Sequence, residues 1–110
     1  MKLLMTEIAK ERLIAYGRKL AEENPQKNGN WDIEWCMRVP VVPGRGELPA
    51  EIVIGNRHTN FQPYVAWYRF NGEHYAWGDY CETFDGAFEC AMRKMCREIG
   101  IEIERSAENE

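Results

Sequence analysis

The sequence predicts an α+β fold in the order α-β-β-β-β-α, an antiparallel sheet of three to four strands packed with two helices. Three observations carry this. Apolar residues recur with a helical period near both ends of the chain, they alternate with a period of two from Trp31 to Val39, and Asn71-Gly72 separates two aromatic-rich runs. The elements follow in order. Met5, Ala9, Leu13, Tyr16 and Leu20, with Ile8 beside them, form one stripe of a first helix from Thr6 to about Glu23. Thr6 stands at its N-cap with Glu7 in the first turn. The stretch Asn24-Pro25-Gln26-Lys27-Asn28-Gly29-Asn30 ends that helix in a loop.

Trp31, Ile33, Trp35, Met37 and Val39 alternate with polar or small residues, so one face of a first strand is buried. Pro40, Pro43, Gly44, Gly46 and Pro49 punctuate an irregular or hairpin connection to a short strand, Ala50 to Gly55. The polar run Gly55 to Asn60 is a turn. Tyr64–Phe70 and Glu73–Tyr80 then form a hairpin, because Asn-Gly supplies the two positive φ angles of a type I′ turn. Thr83 caps a second helix with Asp85 in its first turn. Phe84, Phe88, Ala91, Met95 and Ile99, with Ala87 and Met92, form its apolar stripe, and Gly100 fits its end. The chain of 110 residues reads as a single domain with a frayed acidic tail at 101–110.

Composition limits the function classes. Fourteen basic residues stand against eighteen acidic ones, a formal net charge of -4, which disfavours binding to nucleic acid or an anionic membrane through bulk charge. The apolar start Met1–Met5 stops at Glu7, too short for a secretory segment, and no run approaches a membrane span, so the expected location is the cytoplasm. Cys36, Cys81, Cys90 and Cys96 are then reduced thiols. None is paired at C-x-x-C spacing; a zinc site from Cys36, His58, His74 and Cys81 would need a tertiary coincidence, so no metal and no cofactor is expected.

No catalytic signature is present. Gly44-Arg45-Gly46-Glu47 lacks the lysine and helix start of a phosphate cradle. His74, facing Asp79 or Glu34, is the one candidate general base, and Cys81, just before a helix N-terminus, is the one candidate reactive thiol. Both read more simply as packing residues.

The hairpin is the most informative segment. A two-residue loop places Phe70 opposite Glu73, Tyr68 opposite Tyr75 and Ala66 opposite Trp77. Val65, Trp67, Arg69 and Tyr80 then share the other face, where small Ala76 and Gly78 leave room for a helix. On this reading Tyr68, Phe70, Tyr75 and Trp77 make an aromatic face that is either an exposed interaction site or covered by the first helix. A second candidate is the acidic start of the last helix, Glu82, Asp85 and Glu89, suited to a basic protein partner.

The element order resembles that of double-stranded RNA-binding domains, but those hold phosphates with lysines where this chain has Glu82-Thr83-Phe84-Asp85. Stacking of single-stranded bases on the aromatics, with Arg38, Arg57 and Arg69 adding charge, or binding of a small ligand there, is the alternative use of the sheet. Residues 28–81 nevertheless carry four basic and six acidic residues, which ranks it below protein contact.

Tyr64-Val65-Ala66-Trp67, Tyr75-Ala76-Trp77-Gly78-Asp79-Tyr80 and Thr83-Phe84-Asp85-Gly86-Ala87-Phe88 together resemble a pattern in small proteins of bacterial mobile elements and phages. There a Tyr-Val-x-Trp strand precedes a Tyr-x-Trp-Gly-x-Tyr strand and a helix. The resemblance spans residues 63–97 and departs at Asp79 and Cys81, where a His and a second aromatic are expected. It transfers no catalytic residues. It implies a setting: small accessory proteins that bind and inhibit host machinery. The expectation is therefore a non-enzymatic binding protein acting by protein–protein contact, such as an inhibitor of a host defence or nucleic-acid enzyme. It would act in the host cytoplasm if phage-encoded, with a homodimer seam as another use of the same face.

Overall fold

The computed structural model describes residues 5–39 and 50–98. The connection at 40–49, the helix end at Ile99 and Gly100, and the tail at 101–110 lie outside the described residues. The element order is α1 (Glu7–Glu23), β1 (Lys27–Asn28), β2 (Trp31–Arg38), β3 (Ala50–Asn56), β4 (Tyr64–Phe70), β5 (His74–Cys81) and α2 (Phe84–Glu98). The five strands form one antiparallel sheet in the order β1-β2-β3-β4-β5, so the fold is α+β with an antiparallel sheet packed against helices. No helix among the described residues is long and apolar enough to cross a membrane.

Both helix starts are those expected. The Thr6 hydroxyl accepts from the Ala9 amide at 3.1 Å, and the Thr83 hydroxyl accepts from the Gly86 amide at 3.0 Å, each satisfying a donor that the first helical turn leaves unpaired. The sheet has one strand more than expected. Lys27–Asn28 pairs with Trp31–Asp32 across Gly29-Asn30, and Gly29 takes φ +61°, as the first central residue of a type II′ turn requires.

The main core lies between the helices and one sheet face. Trp35, Ile52, Ile54, Ala66 and Tyr68 pack there against Ala87, Phe88, Ala91 and Met92 of α2, with Leu13 and Ile14 of α1 completing the layer. The α2 stripe is the one expected. That of α1 is rotated: Leu13, Ile14, Gly17, Leu20 and Ala21 turn inward, while Ile8 and Tyr16 are exposed. Trp35 is the reason. Its indole N–H donates to the Leu13 carbonyl at 3.0 Å, and its ring occupies the space where a Cβ on Gly17 would stand, 2.1 Å from Nε1. A helix can lie this close to a tryptophan only where it presents a glycine.

The hairpin register differs from the expected one. Asn71 and Gly72 do take positive φ, +53° and +75°. The loop, however, includes Glu73, whose amide donates to the Phe70 carbonyl at 3.1 Å, so Phe70 pairs with His74, Arg69 with Tyr75 and Tyr68 with Ala76. A shift of one residue turns β5 over relative to β4. A bulge at Trp77-Gly78 then restores the opposite phase, pairing Ala66 with Asp79, Val65 with Tyr80 and Tyr64 with Cys81.

Candidate interaction surface

The two shifts separate the four aromatics expected on one face. Tyr68 is buried beneath α2, its hydroxyl donating to the Lys94 carbonyl at 3.4 Å, and Phe70 stacks beside it. Tyr75 lies on the opposite face. Trp77 leaves the sheet at the bulge. The exposed four-aromatic face is therefore not formed, and it is α2 rather than α1 that covers Tyr68.

The face away from the main core carries Trp67, Val65 and Arg69, the residues the sequence reading put beneath the helices. The room expected beside Gly78 for a helix is taken by the indole of Trp67, whose Nε1 would stand 2.7 Å from a Cβ on that glycine. Trp31 and Tyr75 pack edge-on against Trp67, with ring centroids 5.3 and 5.1 Å away, and Tyr80 packs on Trp31 at 5.8 Å. Arg57 lies over the Trp31 ring at 4.7 Å. The buried Arg69 guanidinium reaches the Glu51 carboxylate at 2.8 Å, the Tyr75 hydroxyl at 3.3 Å and the side-chain oxygen of Gln26. These rings use their faces and edges on one another. With Ala21, Ile33, Cys36 and Val53 they form a second, smaller core. Tyr80, packed on Trp31, is half-exposed, and Phe61 in the β3–β4 loop is exposed, its carbonyl accepting from Arg57.

Trp77 is the most exposed large apolar side chain among the described residues, at 72 %. Its backbone takes φ +53°, a left-handed conformation that a bulky residue adopts only at a cost of roughly 1–3 kcal/mol. A lysine holds it there. Lys94, buried on α2, donates from Nζ to the Trp77 carbonyl at 2.7 Å, pairs with the Asp79 carboxylate at 2.8 Å, and lies 4.8 Å from the centre of the Tyr68 ring. The ammonium thus has a partner in each direction, as a buried charge requires. The bulge aims Trp77 out from the edge strand, with one edge contact to Tyr68 at 5.6 Å.

The acidic trio of α2 is engaged internally. Glu82 accepts from the Gln62 amide at 3.2 Å, Asp85 pairs with Lys10 of α1 at 3.5 Å, and Glu89 pairs with Arg93 one turn on at 3.1 Å. Arg18 of α1 also lies over the Phe84 ring at 4.5 Å, so this contact and the Lys10–Asp85 pair tie α1 to α2.

The two carboxylates weighed for His74 are occupied: Asp79 by Lys94 and Glu34 by the Asn56 side-chain amide at 2.9 Å. The histidine with a carboxylate partner is His58, 2.8 Å from Asp32, which also binds Lys27 at 3.0 Å. These hydrogen bonds, from Lys27 and then His58, hold the Asp32 carboxyl below its ordinary range. His58 itself sits at φ +60°. Among the described residues no three His, Cys, Asp or Glu side chains are grouped to hold a metal ion.

The sequence pattern places Trp31 only on the buried face of the first strand and leaves Lys94 unmarked. Lys94 falls in phase with Ala87 and Ala91 on the inward side of α2, and a lysine at that position is a signal that its charge has a buried partner. Comparison with known proteins finds no matching family model, no similar curated protein and no similar solved structure.

Proposed function

We propose that the chain is a small non-enzymatic binding protein that contacts a protein partner through the β5 edge, with Trp77 as its anchor. The observation that carries this reading is Trp77 itself: a tryptophan held outward in a strained bulge by a buried lysine. Strain maintained by surrounding structure is a mark of functional positions, bulges re-aim side chains, and tryptophan is among the residues that dominate protein interfaces. Tyr80, further along the same strand, is also half-exposed. In the setting that the phage-protein resemblance implies, the partner is a host defence or nucleic-acid enzyme and the effect is inhibition.

Base stacking on the open face ranks lower. Its rings are packed edge-on against each other and its arginines are engaged by Glu51 and Trp31, leaving little flat aromatic surface for a base. The test is capture from a nuclease-treated, reduced bacterial lysate with the wild-type chain and Trp77→Gly side by side. The reading expects one stoichiometric protein retained by the wild type and lost by the variant, with the variant unfolding at the same denaturant concentration or a higher one. An empty wild-type capture contradicts it, as does equal retention by both chains or recovery of nucleic acid when nuclease is omitted.

A further inference from the structure

Cys81 closes β5 and Cys90 lies in the second turn of α2, and their sulfurs stand 3.9 Å apart. Both are half-buried free thiols. They form one rung of the β5–α2 contact; the next is the Asp79–Lys94 pair, on residues two before Cys81 and four after Cys90. Both cysteines pack at the rim of the main core, and the binding reading does not call on this sulfur pair.

We infer that Cys81 and Cys90 form a reversible dithiol–disulfide site that reacts with small-molecule disulfides of the glutathione type. A disulfide needs its sulfurs at about 2.05 Å, so the pair must close by roughly 2 Å. Gly86, in the first turn of α2 between the two cysteines, carries no side chain against Cys81: a Cβ there would stand 3.5 Å from Cys81 Cβ and 3.9 Å from its Sγ. In the reaction one thiolate attacks a sulfur of oxidised glutathione and expels a glutathione thiolate. The second cysteine, after losing its proton to water, attacks the mixed disulfide and expels the other. Two protein thiols are oxidised by two electrons, and one glutathione disulfide is reduced to two thiols.

The surroundings set the pace. Burial, then Cys90 and Asp79, push the Cys81 thiol up to about 12, with Lys94 acting in the opposite sense. Thiolate at Cys81 is therefore scarce at neutral pH, and attack by this residue quickens as pH rises.

The test treats the full chain with oxidised glutathione, quenches with an alkylating agent, and reads intact mass and peptide map. The expected product is lighter by two hydrogens before alkylation, carries a Cys81–Cys90 cross-link, and is restored by reduced glutathione. Cys90→Ser is expected to stop at a glutathione adduct on Cys81 instead, with unchanged unfolding. Adducts at both Cys81 and Cys90 without a cross-link would overturn the inference. So would a cross-link that forms only in denaturant.

Discussion

The helix-covered face of the sheet and its β5 edge are built from the same residue types, and they use them in opposite ways. Under the helices Trp35 and Tyr68 are almost fully buried, each with its polar atom satisfied by a helix carbonyl. At the edge, Trp77 is left in solvent in a conformation that opposes folding. Tyr68 and Trp77 touch each other, so the boundary between the two uses falls within one ring contact. The difference teaches that aromatic content says little about where a surface lies. Register decides it, and here one extra loop residue and one bulge moved Tyr75 and Trp77 off the face that Tyr68 and Phe70 share.

The sharpest way to break the comparison is from the covered side. Gly17→Ala places a Cβ where the Trp35 indole stands, and neither helix nor ring can yield without opening the core. Equilibrium urea unfolding is expected to show a loss of about 3 kcal/mol or more, at the upper end of overpacking effects. A loss below about 1 kcal/mol would mean that α1 is not seated on Trp35.

Lys94→Met probes the seam between the regions. It removes the donor to the Trp77 carbonyl and the partner of Asp79 while keeping the apolar stem. The half-exposed Asp79 can turn to water, so the expected loss is about 1–3 kcal/mol, that of an unsatisfied buried carbonyl. Partner binding is expected to fall with it, because the bulge is no longer held.

A smaller effect is expected from alkaline pH. The Cys81 thiol titrates at about 12 when folded, against an ordinary value of 9.0. A raised thiol gives stability that is complete below pH 9 and lost as pH climbs toward 12, because the unfolded chain releases a proton that the folded chain keeps. Comparing wild type with Cys81→Ser isolates the group: the wild type is expected to lose stability more steeply over that window. Parallel curves would show that the thiol is not so placed.

Much of this was legible from residues alone. Helical periods, threonine caps, the alternation in β2 and the Asn71-Gly72 turn located every element except β1, whose two residues are too few to show a period. The α2 stripe was legible because Phe84, Phe88 and Ala91 leave one way to face a sheet. The α1 stripe was not, because its inward face rests on Gly17 and Ala21, small residues whose burial depends on a tryptophan 22 positions from Leu13. The candidate surface was half legible. Trp77 and its exposure were within reach of the sequence, and Gly78 after it is the residue type that marks a bulge in a strand. The direction of that bulge rests on Lys94, and only the three-dimensional arrangement brings the two together.

The measurement that bears most directly on the account is the urea midpoint of Trp77→Gly. Glycine accepts φ +53° without strain, and the side chain lost makes a single edge contact worth about 0.5–1.5 kcal/mol. If Trp77 is held out for a partner at the fold's expense, stability stays within about 0.5 kcal/mol of the wild type or rises. A loss of about 2 kcal/mol or more would make Trp77 a structural residue and contradict the account.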